Sequence, residues 1–400
     1  MNTAPARASS TASRAAANGS APTATAPAPA FGLAALCDEL AGTFAERASV
    51  IRALARAFLA GEHAFVLGKP GTGKSALARC FAQALGLSYW EYLMTRYSTP
   101  EELFGPLSIP ELQKGRFTRN FAGYLPGAQV VFLDEIWKSN SGILNALLTA
   151  LNERVFHDDG KAVKIPLVSM VCASNELPES ESELSALYDR CLVRLVTSYV
   201  SDRDAFEAML FAPNPTAPTT KVDIVAVQAA TRAVVIPDDV KQAIVELRYR
   251  VRDTSGFEVS DRRWKQCGRL VQAAAHLEGR TEACLDDLEC LEDVLWRAPE
   301  ERTEATRIIQ EVANPSGAKA VALLDQAKGL LTSLPVIDDK DPASKAAFLG
   351  KVASVNGDLK DIAAQLDKLP TSRKVTAARA EVKAIREATS KQGAKAAGII

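Results

Sequence analysis

The residues with the clearest chemistry run from Gly68 to Ser75 and read Gly-Lys-Pro-Gly-Thr-Gly-Lys-Ser. They match the pattern G-x-x-x-x-G-K-[ST], whose glycines let backbone N–H groups turn toward phosphate oxygens, while Lys74 contacts the outer phosphates and the Ser75 hydroxyl binds Mg²⁺. A short apolar run precedes the loop, and a helical stretch that points its positive end at the anion follows it. The segment therefore predicts a nucleoside triphosphate site with Mg²⁺, formed by Gly68, Pro70, Gly71, Thr72, Gly73, Lys74 and Ser75.

Two adjacent acids, Asp134 and Glu135, follow the apolar run 130–133. A buried pair of acids is costly unless it meets a cation or serves a function. We predict that Asp134 binds Mg²⁺, directly or through water, and that Glu135 orients and polarises the attacking water. The alternative is a solvated acidic turn, which the strongly apolar run before the acids disfavours.

Four further polar residues could complete such a site. Asn175 follows another apolar run, so its amide could position the water or contact the terminal phosphate. Arg190 directly precedes a fourth apolar run, and Arg262 and Arg263 lie at the predicted start of a helix. Because cations there oppose the helix macrodipole, the two arginines indicate an anion, with a simple salt bridge as the alternative.

Apolar runs alternate with helical stretches from residue 33 to about residue 200, beginning with one helix predicted over 33–60. This alternation predicts an α/β fold, a parallel sheet with helices on both faces. Ligands of such sheets bind at the carboxyl ends of the strands, where the loop, the acids and Asn175 all lie. The later part of the chain reads as helical.

The chain divides into four predicted regions. Residues 1–32 form an Ala/Pro/Ser-rich tail that cannot bury enough apolar surface to order itself, with a transit peptide as the weaker alternative. Residues 33–205 are the nucleotide-binding domain, 206–300 an α-helical lid, and 301–400 a helical, coiled-coil region. In that last region, large apolar residues between Phe348 and Leu369 repeat at spacings of four and three, Pro370 breaks the helix, and the rhythm resumes from Val375 to Ile385, which predicts an antiparallel helical hairpin.

Composition narrows the function further. With 47 basic and 48 acidic residues the net charge is -1, which gives no bulk attraction to nucleic acid or anionic membranes. No apolar run approaches the ~20 residues that a membrane helix needs. The seven cysteines form no Cys-x-x-Cys pair and only three histidines occur, which disfavours a zinc site and predicts reduced thiols in a cytoplasmic protein.

Together these motifs resemble the MoxR family of AAA+ ATPases, and most closely its RavA branch. Besides the phosphate loop and Ser260 to Trp264, the resemblance rests on segments 99–106, 123–126, 132–140, 147–154, 173–178 and 187–190. It spans roughly residues 40–275. The RavA branch usually carries a small extra domain in its C-terminal helices, for which the region from residue 300 is too short, so the lysine decarboxylase partner of that domain is not inferred here.

The resemblance implies a role for each candidate residue. Lys74 and Ser75 match Walker A, Asp134 and Glu135 match Walker B, and Asn175 matches sensor 1. Arg190 matches the arginine finger, which acts on a neighbouring subunit's nucleotide, with Arg194 as the rival. Arg262 matches sensor 2, with Arg263 as the fallback.

The resemblance also implies two features outside the nucleotide site, an insert at 105–127 within the second helix and a hairpin at 154–167.

The resemblance further implies ATP and Mg²⁺ as ligands, a hexameric ring, and a von Willebrand factor A-type partner that recruits protein targets. We therefore expect a chaperone-like ATPase that remodels or activates proteins. Two alternatives remain at this point: a nucleic-acid-acting AAA+ motor, which the neutral charge disfavours, and a nucleotide-gated scaffold with marginal hydrolysis.

Overall fold

The computed structural model describes residues 31–178, 183–211, 218–254, 258–335, 342–369 and 373–396. The predicted tail up to residue 30, most of the proline-rich stretch near 211–220 and part of the turn at 335–344 lie outside these residues. Within them, no helix is long and apolar enough to cross a membrane.

The described residues form seven strands. In chain order these are β1 His63–Gly68, β2 Tyr89–Leu93, β3 Val130–Asp134, β4 Val155–Asp158, β5 Lys161–Lys164, β6 Ser169–Ser174 and β7 Cys191–Thr197. Five of them make one sheet in the order β2-β3-β6-β1-β7, and every neighbouring pair is parallel. Strands β4 and β5 form a separate antiparallel hairpin at the position predicted for it.

Helices occupy most of the remaining described chain. They are α1 Phe31–Thr43, α2 Ala48–Ala60, α3 Lys74–Ala84, α4 Pro100–Phe104, α5 Ile109–Leu112, α6 Ser141–Glu153, α7 Glu183–Arg190, α8 Arg203–Phe211, α9 Ile224–Arg232, α10 Asp238–Thr254, α11 Asp261–Leu277, α12 Arg302–Ala313, α13 Pro315–Thr332, α14 Pro342–Asp367 and α15 Arg373–Ala396. Short 3₁₀ helices lie at Leu125–Gly127, Ile136–Lys138, Leu285–Asp293 and Pro299–Glu301.

The sheet is buried on both faces, as the apolar runs predict. Along β3, Val130 and Phe132 pack into one core with α1, α2, α3 and the helices α9 to α12. Val131 and Leu133 point the other way and pack with α4, α6 and α7. Because both faces are covered, the strands read as continuous apolar runs rather than alternating ones. The predicted α/β fold with a helical lid is confirmed.

The prediction of one helix over 33–60 is wrong, because the chain turns between α1 and α2. Glu46 adopts a left-handed backbone conformation with φ of 56°. Its carboxylate accepts hydrogen bonds from the backbone N–H groups of Ser201, at 3.0 and 3.1 Å, and Asp202, at 2.7 Å. These long-range bonds hold the turn against the segment after β7, and the local sequence gives no sign of them.

The C-terminal region contains the predicted apolar seam but three helices rather than two. Large residues of α14 are buried at the predicted spacing: Phe348, Val352, Val355, Leu359, Ile362 and Leu366. The last four share one core with α15 and with α13, whose Ala320 and Ala327 are fully buried there, while Phe348 and Val352 pack with Ala396 of α15. The two small alanines let α13 approach closely, and partly buried leucines of α13, among them Leu323 and Leu330, pack against the same core. The predicted hairpin is formed by α14 and α15, and α13 packs against it as a third helix that was not predicted.

Candidate functional site

The predicted phosphate loop lies between the end of β1 and the start of α3. Gly71 and Gly73 have φ angles of 79° and 81°, which glycine adopts without strain. Gly68 packs directly on β7, since a Cβ atom there would lie 2.0 Å from Oγ1 of Thr197. The Thr72 hydroxyl lies 2.9 Å from the carbonyl of Lys69 and 3.1 Å from the Thr197 hydroxyl. These hydrogen bonds close the loop on itself and attach it to β7, the last strand in the order of the sheet.

Lys74 is the first residue of α3, and its ammonium lies inside the curve of the loop. It donates hydrogen bonds to the carbonyl oxygens of Gly68 at 2.7 Å and Lys69 at 3.1 Å. Both bonds are to neutral groups, so an anion in the loop would find a cation with no carboxylate to displace. A helix N-terminus adds its partial positive charge at the same place.

Arg47 supports the loop from outside, and the sequence analysis missed it. This side chain is only 8% exposed and donates to the carbonyl oxygen of Thr72 at 3.4 Å and to that of Ser198. It therefore joins the α1–α2 turn, the phosphate loop and the end of β7. No motif around Arg47 marks this role, because its partners lie 25 and 151 residues away.

The two predicted acids lie at the end of β3. Glu135 has a φ of 52°, and its backbone N–H donates to the Asp134 carboxylate at 3.0 Å. Its buried Oε2 accepts no hydrogen bond, although the exposed Lys138 ammonium lies 3.4 Å away. A left-handed residue with a buried and unsatisfied carboxylate oxygen is costly. Such a cost is typical of a side chain held ready for a ligand or a reaction.

Asn175 directly follows β6, which lies between β3 and β1 in the sheet. Leu67 is opposite Ser174 and Leu133 is opposite Cys172, so the ends of the three strands reach one edge. The loop after β6 is tied to the Walker B turn by the Trp137 indole N–H, which donates to the carbonyl of Glu176 at 2.9 Å. The structure thus brings Asn175, which is exposed, to the same edge as the acids and the phosphate loop.

These residues fit a magnesium nucleotide. Mg²⁺ is usually bound by one or two protein oxygens together with substrate phosphates and waters, and the half-buried Ser75 and Asp134 supply such oxygens. The loop is open at Gly71, where a Cβ atom would meet no other part of the chain within 4 Å. Asp134, Glu135, Lys74 and Ser75 lie on the edge of the sheet where such folds bind ligands.

The predicted arginines lie at the opposite edge of the sheet, which is formed by the amino ends of the strands. Arg190 ends α7 immediately before β7, whose first residue, Cys191, is opposite His63 at the start of β1. Arg262 lies on the first turn of α11 and donates a hydrogen bond to the side-chain oxygen of Asn152. Since β1 has six residues, this edge is roughly 17 Å from the phosphate loop of the same chain. The structure therefore does not bring Arg190 or Arg262 to their own chain's loop.

Arg190 and Arg262 lie close enough to repel each other. The pKa of the half-buried Arg190 is lowered, first by desolvation and then by the charge of Arg262. Arg190 bonds to the carbonyl oxygen of Ala186 at 2.6 Å, and its buried Nε has no partner. Among the residues that the structure describes, no carboxylate forms an ion pair with either guanidinium. The charge of Asp189 acts on Arg190 in the opposite sense but more weakly than that of Arg262, so repulsion outweighs attraction at this guanidinium.

The two rival arginines are buried. Arg194 is 2% exposed, stacks on the Tyr188 ring at 3.9 Å and donates to the carbonyl of Trp296, and burial lowers its pKa to about 9. Arg263 is also 2% exposed and donates to four backbone carbonyl oxygens, two of which are Leu192 at 2.7 Å and Val294 at 2.8 Å. Both side chains join the lid to the core rather than face solvent.

Comparison with known proteins shows which family this chain is similar to. Residues 32–233 match the model of the MoxR domain in the MoxR-vWA-beta-propeller ternary systems, and residues 239–309 match an AAA lid domain. The chain is 35% identical to each of two uncharacterised proteins of Methanocaldococcus jannaschii, MJ0812 and MJ0079. Each alignment covers 81% of this chain and 89% or 88% of the relative. A crystal structure from Cytophaga hutchinsonii, described as a candidate ATPase, superposes with a TM-score of 0.58 over 71% of this chain and 93% of that one; at 18% identity it shows the fold alone.

Proposed function

The chain belongs to the MoxR family of AAA+ ATPases, and we propose that it hydrolyses ATP in a ring of identical subunits to remodel or activate protein targets. One observation carries the proposal. The phosphate loop and the accessible arginines lie at opposite edges of one sheet, so a complete set of both can form only between two copies of the chain.

Residues of one copy hold the nucleotide. Lys74 and the glycines of the loop bind the phosphates, and Ser75 with Asp134 would hold Mg²⁺, which supplies charge neutralisation at the phosphates. Glu135 orients the attacking water, and Asn175 fixes its position from the neighbouring strand. The unsatisfied Oε2 of Glu135 supports this role, because a water molecule there would gain a hydrogen bond that the protein leaves open.

The neighbouring copy supplies the arginines. Arg190 and Arg262 are the pair we assign, as finger and sensor 2, because they are accessible and lack carboxylate partners in the described structure. The burial of Arg194 and Arg263 argues against those two residues. An arginine supplied across an interface stabilises charge on the transferred phosphoryl group, and for related hydrolases it is worth about 10³–10⁵ in rate.

A partner is part of the proposal. The family model that matches describes MoxR domains that work with vWA and β-propeller proteins, which supports a von Willebrand factor A-type partner for this chain. A hexamer is the ring size we propose, by resemblance to the family. Placement within the RavA branch stays a prediction, since neither the matching model nor the relatives name that branch.

Mixing two inactive variants tests whether sites are shared. Glu135→Gln inactivates the copy that holds the nucleotide, and Arg190→Ala inactivates the copy that faces it. When the two are mixed, some interfaces pair an intact Glu135 with an intact Arg190, so we expect ATP turnover to return.

The matched control combines Glu135→Gln with Lys74→Ala. Both of these changes affect the nucleotide-holding copy, so this mixture should stay inactive. Turnover that is no higher in the first mixture than in the control, with assembly verified by sedimentation, would refute a shared site.

A further inference from the structure

Asn152, near the end of α6, holds Arg262 in place. The amide oxygen of Asn152 accepts a hydrogen bond from Nη2 of Arg262, although the two residues are 110 positions apart in the chain. Both side chains are exposed. An exposed arginine has many rotamers, and a bond to an acceptor on another helix removes part of that freedom before any ligand arrives.

The helix that carries Arg262 is fixed to the core at the same point. Ser260 caps α11, and its hydroxyl lies 3.2 Å from the Asp189 carboxylate. Arg263, the residue after Arg262, is buried and bonds to the carbonyl oxygens of Asp189 and Cys191 at 3.2 and 3.0 Å. The backbone on both sides of Arg262 is therefore held, and only its side chain still has to be oriented.

The acceptor is neutral, so it does not cancel the positive charge of Arg262. Two acids of this region have other partners, since Asp261 pairs with Arg248 at 2.5 Å and the Asp189 carboxylate accepts a hydrogen bond from Ser260. A carboxylate in place of the Asn152 amide would orient Arg262 equally well but would neutralise it. An amide orients the guanidinium and leaves its full charge, and its remaining N–H groups, for an anion.

Helix α6 also connects two different sites. It begins after Asn140, whose side chain caps it by accepting from the N–H of Ile143 at 3.0 Å and donates to the carbonyl of Ser98 at 3.0 Å. The turn before Asn140 contains Glu135, the residue we assign to the chain's own nucleotide. One helix thus runs from the acids of one site to the arginine offered to the next site.

We infer that Asn152 is a positioning residue that orients Arg262 toward the nucleotide of a neighbouring copy while leaving its charge uncompensated. The inference rests on the proposed function. It specifies that the amide must be both a hydrogen-bond acceptor and uncharged, which a residue that merely joined lid and core would not need to be.

Two substitutions at Asn152 separate these roles. Asn152→Ala removes the acceptor, and we expect kcat to fall about tenfold with little change in KM, which is the usual loss for a hydrogen bond to a charged group. Asn152→Asp keeps the acceptor and adds a charge, so kcat should fall at least as far while the melting temperature stays equal or rises. Asn145→Ala, an exposed asparagine on the same helix, is the matched control and should behave as wild type.

If Asn152 only joined the lid to the core, its substitution would change stability and leave turnover as in wild type. Wild-type turnover in Asn152→Asp, or in Asn152→Ala, would overturn the inference.

Mixing then tests the direction of the effect. Asn152→Ala combined with Glu135→Gln should regain turnover, because Asn152 acts on the neighbour's site. If this mixture stays low while Arg190→Ala with Glu135→Gln recovers, the inference fails and the proposed function stands. If neither mixture recovers, the proposed function itself fails.

Discussion

The two edges of the central sheet carry different kinds of site. At the carboxyl edge, the phosphate loop and the acids each come from one continuous stretch that directly follows a strand. At the amino edge, Asn152, Arg190 and Arg262 come from the ends of three separate helices. The first edge gathers the candidate phosphate-binding and acidic residues of one chain, whereas the arginines of the second edge face no such group among the described residues of their own chain.

The electrostatics of the two edges differ in the same sense. At the carboxyl edge, Lys74 follows β1 and the acids Asp134 and Glu135 lie at the end of β3, so both signs of charge occur at one edge. At the amino edge, two guanidinium groups repel each other, and one of them is bound by a neutral amide. Like charges brought together without a partner destabilise the isolated chain. A second copy that presents its triphosphate would remove that cost, which is why the comparison points to assembly.

The largest expected effect is at the amino edge. Arg190→Ala should lower kcat about a thousandfold, since a trans-acting arginine stabilises charge that develops only during phosphoryl transfer. The affinity for MgATP measured by calorimetry should change little, because the nucleotide is held by the other edge. Arg250→Ala, which removes an exposed arginine of α10 that pairs with Glu246, is the control and should keep wild-type turnover. A large loss of affinity in Arg190→Ala would mean that the two edges are not separate.

The carboxyl edge should show the reverse pattern. Lys74→Ala should weaken MgATP binding about a hundredfold, because it removes the cation that we expect to contact the phosphates. Lys69→Ala lies in the same loop, but its ammonium points to the Tyr199 ring at 5.6 Å, so its effect should be small. Calorimetric titration of both variants measures the difference. Equal losses in the two would show that general positive charge in the loop, rather than the position of Lys74, holds the nucleotide.

The contrast between the two edges also explains which residues could be predicted from the sequence. The phosphate loop and the acid pair could be recognised in the sequence because the residues that define each of them are adjacent and follow an apolar run. The choice between Arg190 and Arg194 could not be predicted, since Arg194 is buried and donates to the carbonyl oxygen of Trp296, 102 residues away in the chain. Arg47 and Asn152 were missed for the same reason, as each acts through partners distant in the chain. Where tertiary contacts alone fix a side chain, a single sequence holds no local signal.

Neighbouring arginines of the lid offer a smaller test. Arg263→Ala leaves several buried carbonyl oxygens with fewer donors, so the free energy of unfolding should fall by about 2 kcal/mol. Arg262→Ala removes an exposed side chain and should leave unfolding within about 0.5 kcal/mol of wild type while lowering kcat. Urea denaturation together with phosphate-release assays distinguishes the two. If Arg262→Ala proved the more destabilising, the assignment of structural and functional roles to this pair would have to be exchanged.

The smallest effect concerns how the amino edge is held together. Glu62 lies just before β1, is 3% exposed, and binds Arg269 of the lid at 3.0 Å. Burial raises the pKa of Glu62 despite this partner, so the folded chain holds the proton more tightly than the unfolded chain does. Its contribution to stability is therefore fully present below the ordinary range of a carboxyl group and is lost as pH rises through the raised pKa.

Glu62→Gln removes this titration, because an amide has no proton to lose in that range. As the pH rises through the raised pKa of Glu62, the free energy of unfolding of the variant should rise relative to wild type and then level off. Glu153→Gln at the exposed end of α6 controls for a general change in net charge and should give a curve parallel to wild type. If the Glu62→Gln curve is parallel as well, the attraction of its cationic partners balances the effect of burial. The lid would then be attached to this edge by an ordinary salt bridge, and the amino edge would differ from the carboxyl edge only in its accessible arginines.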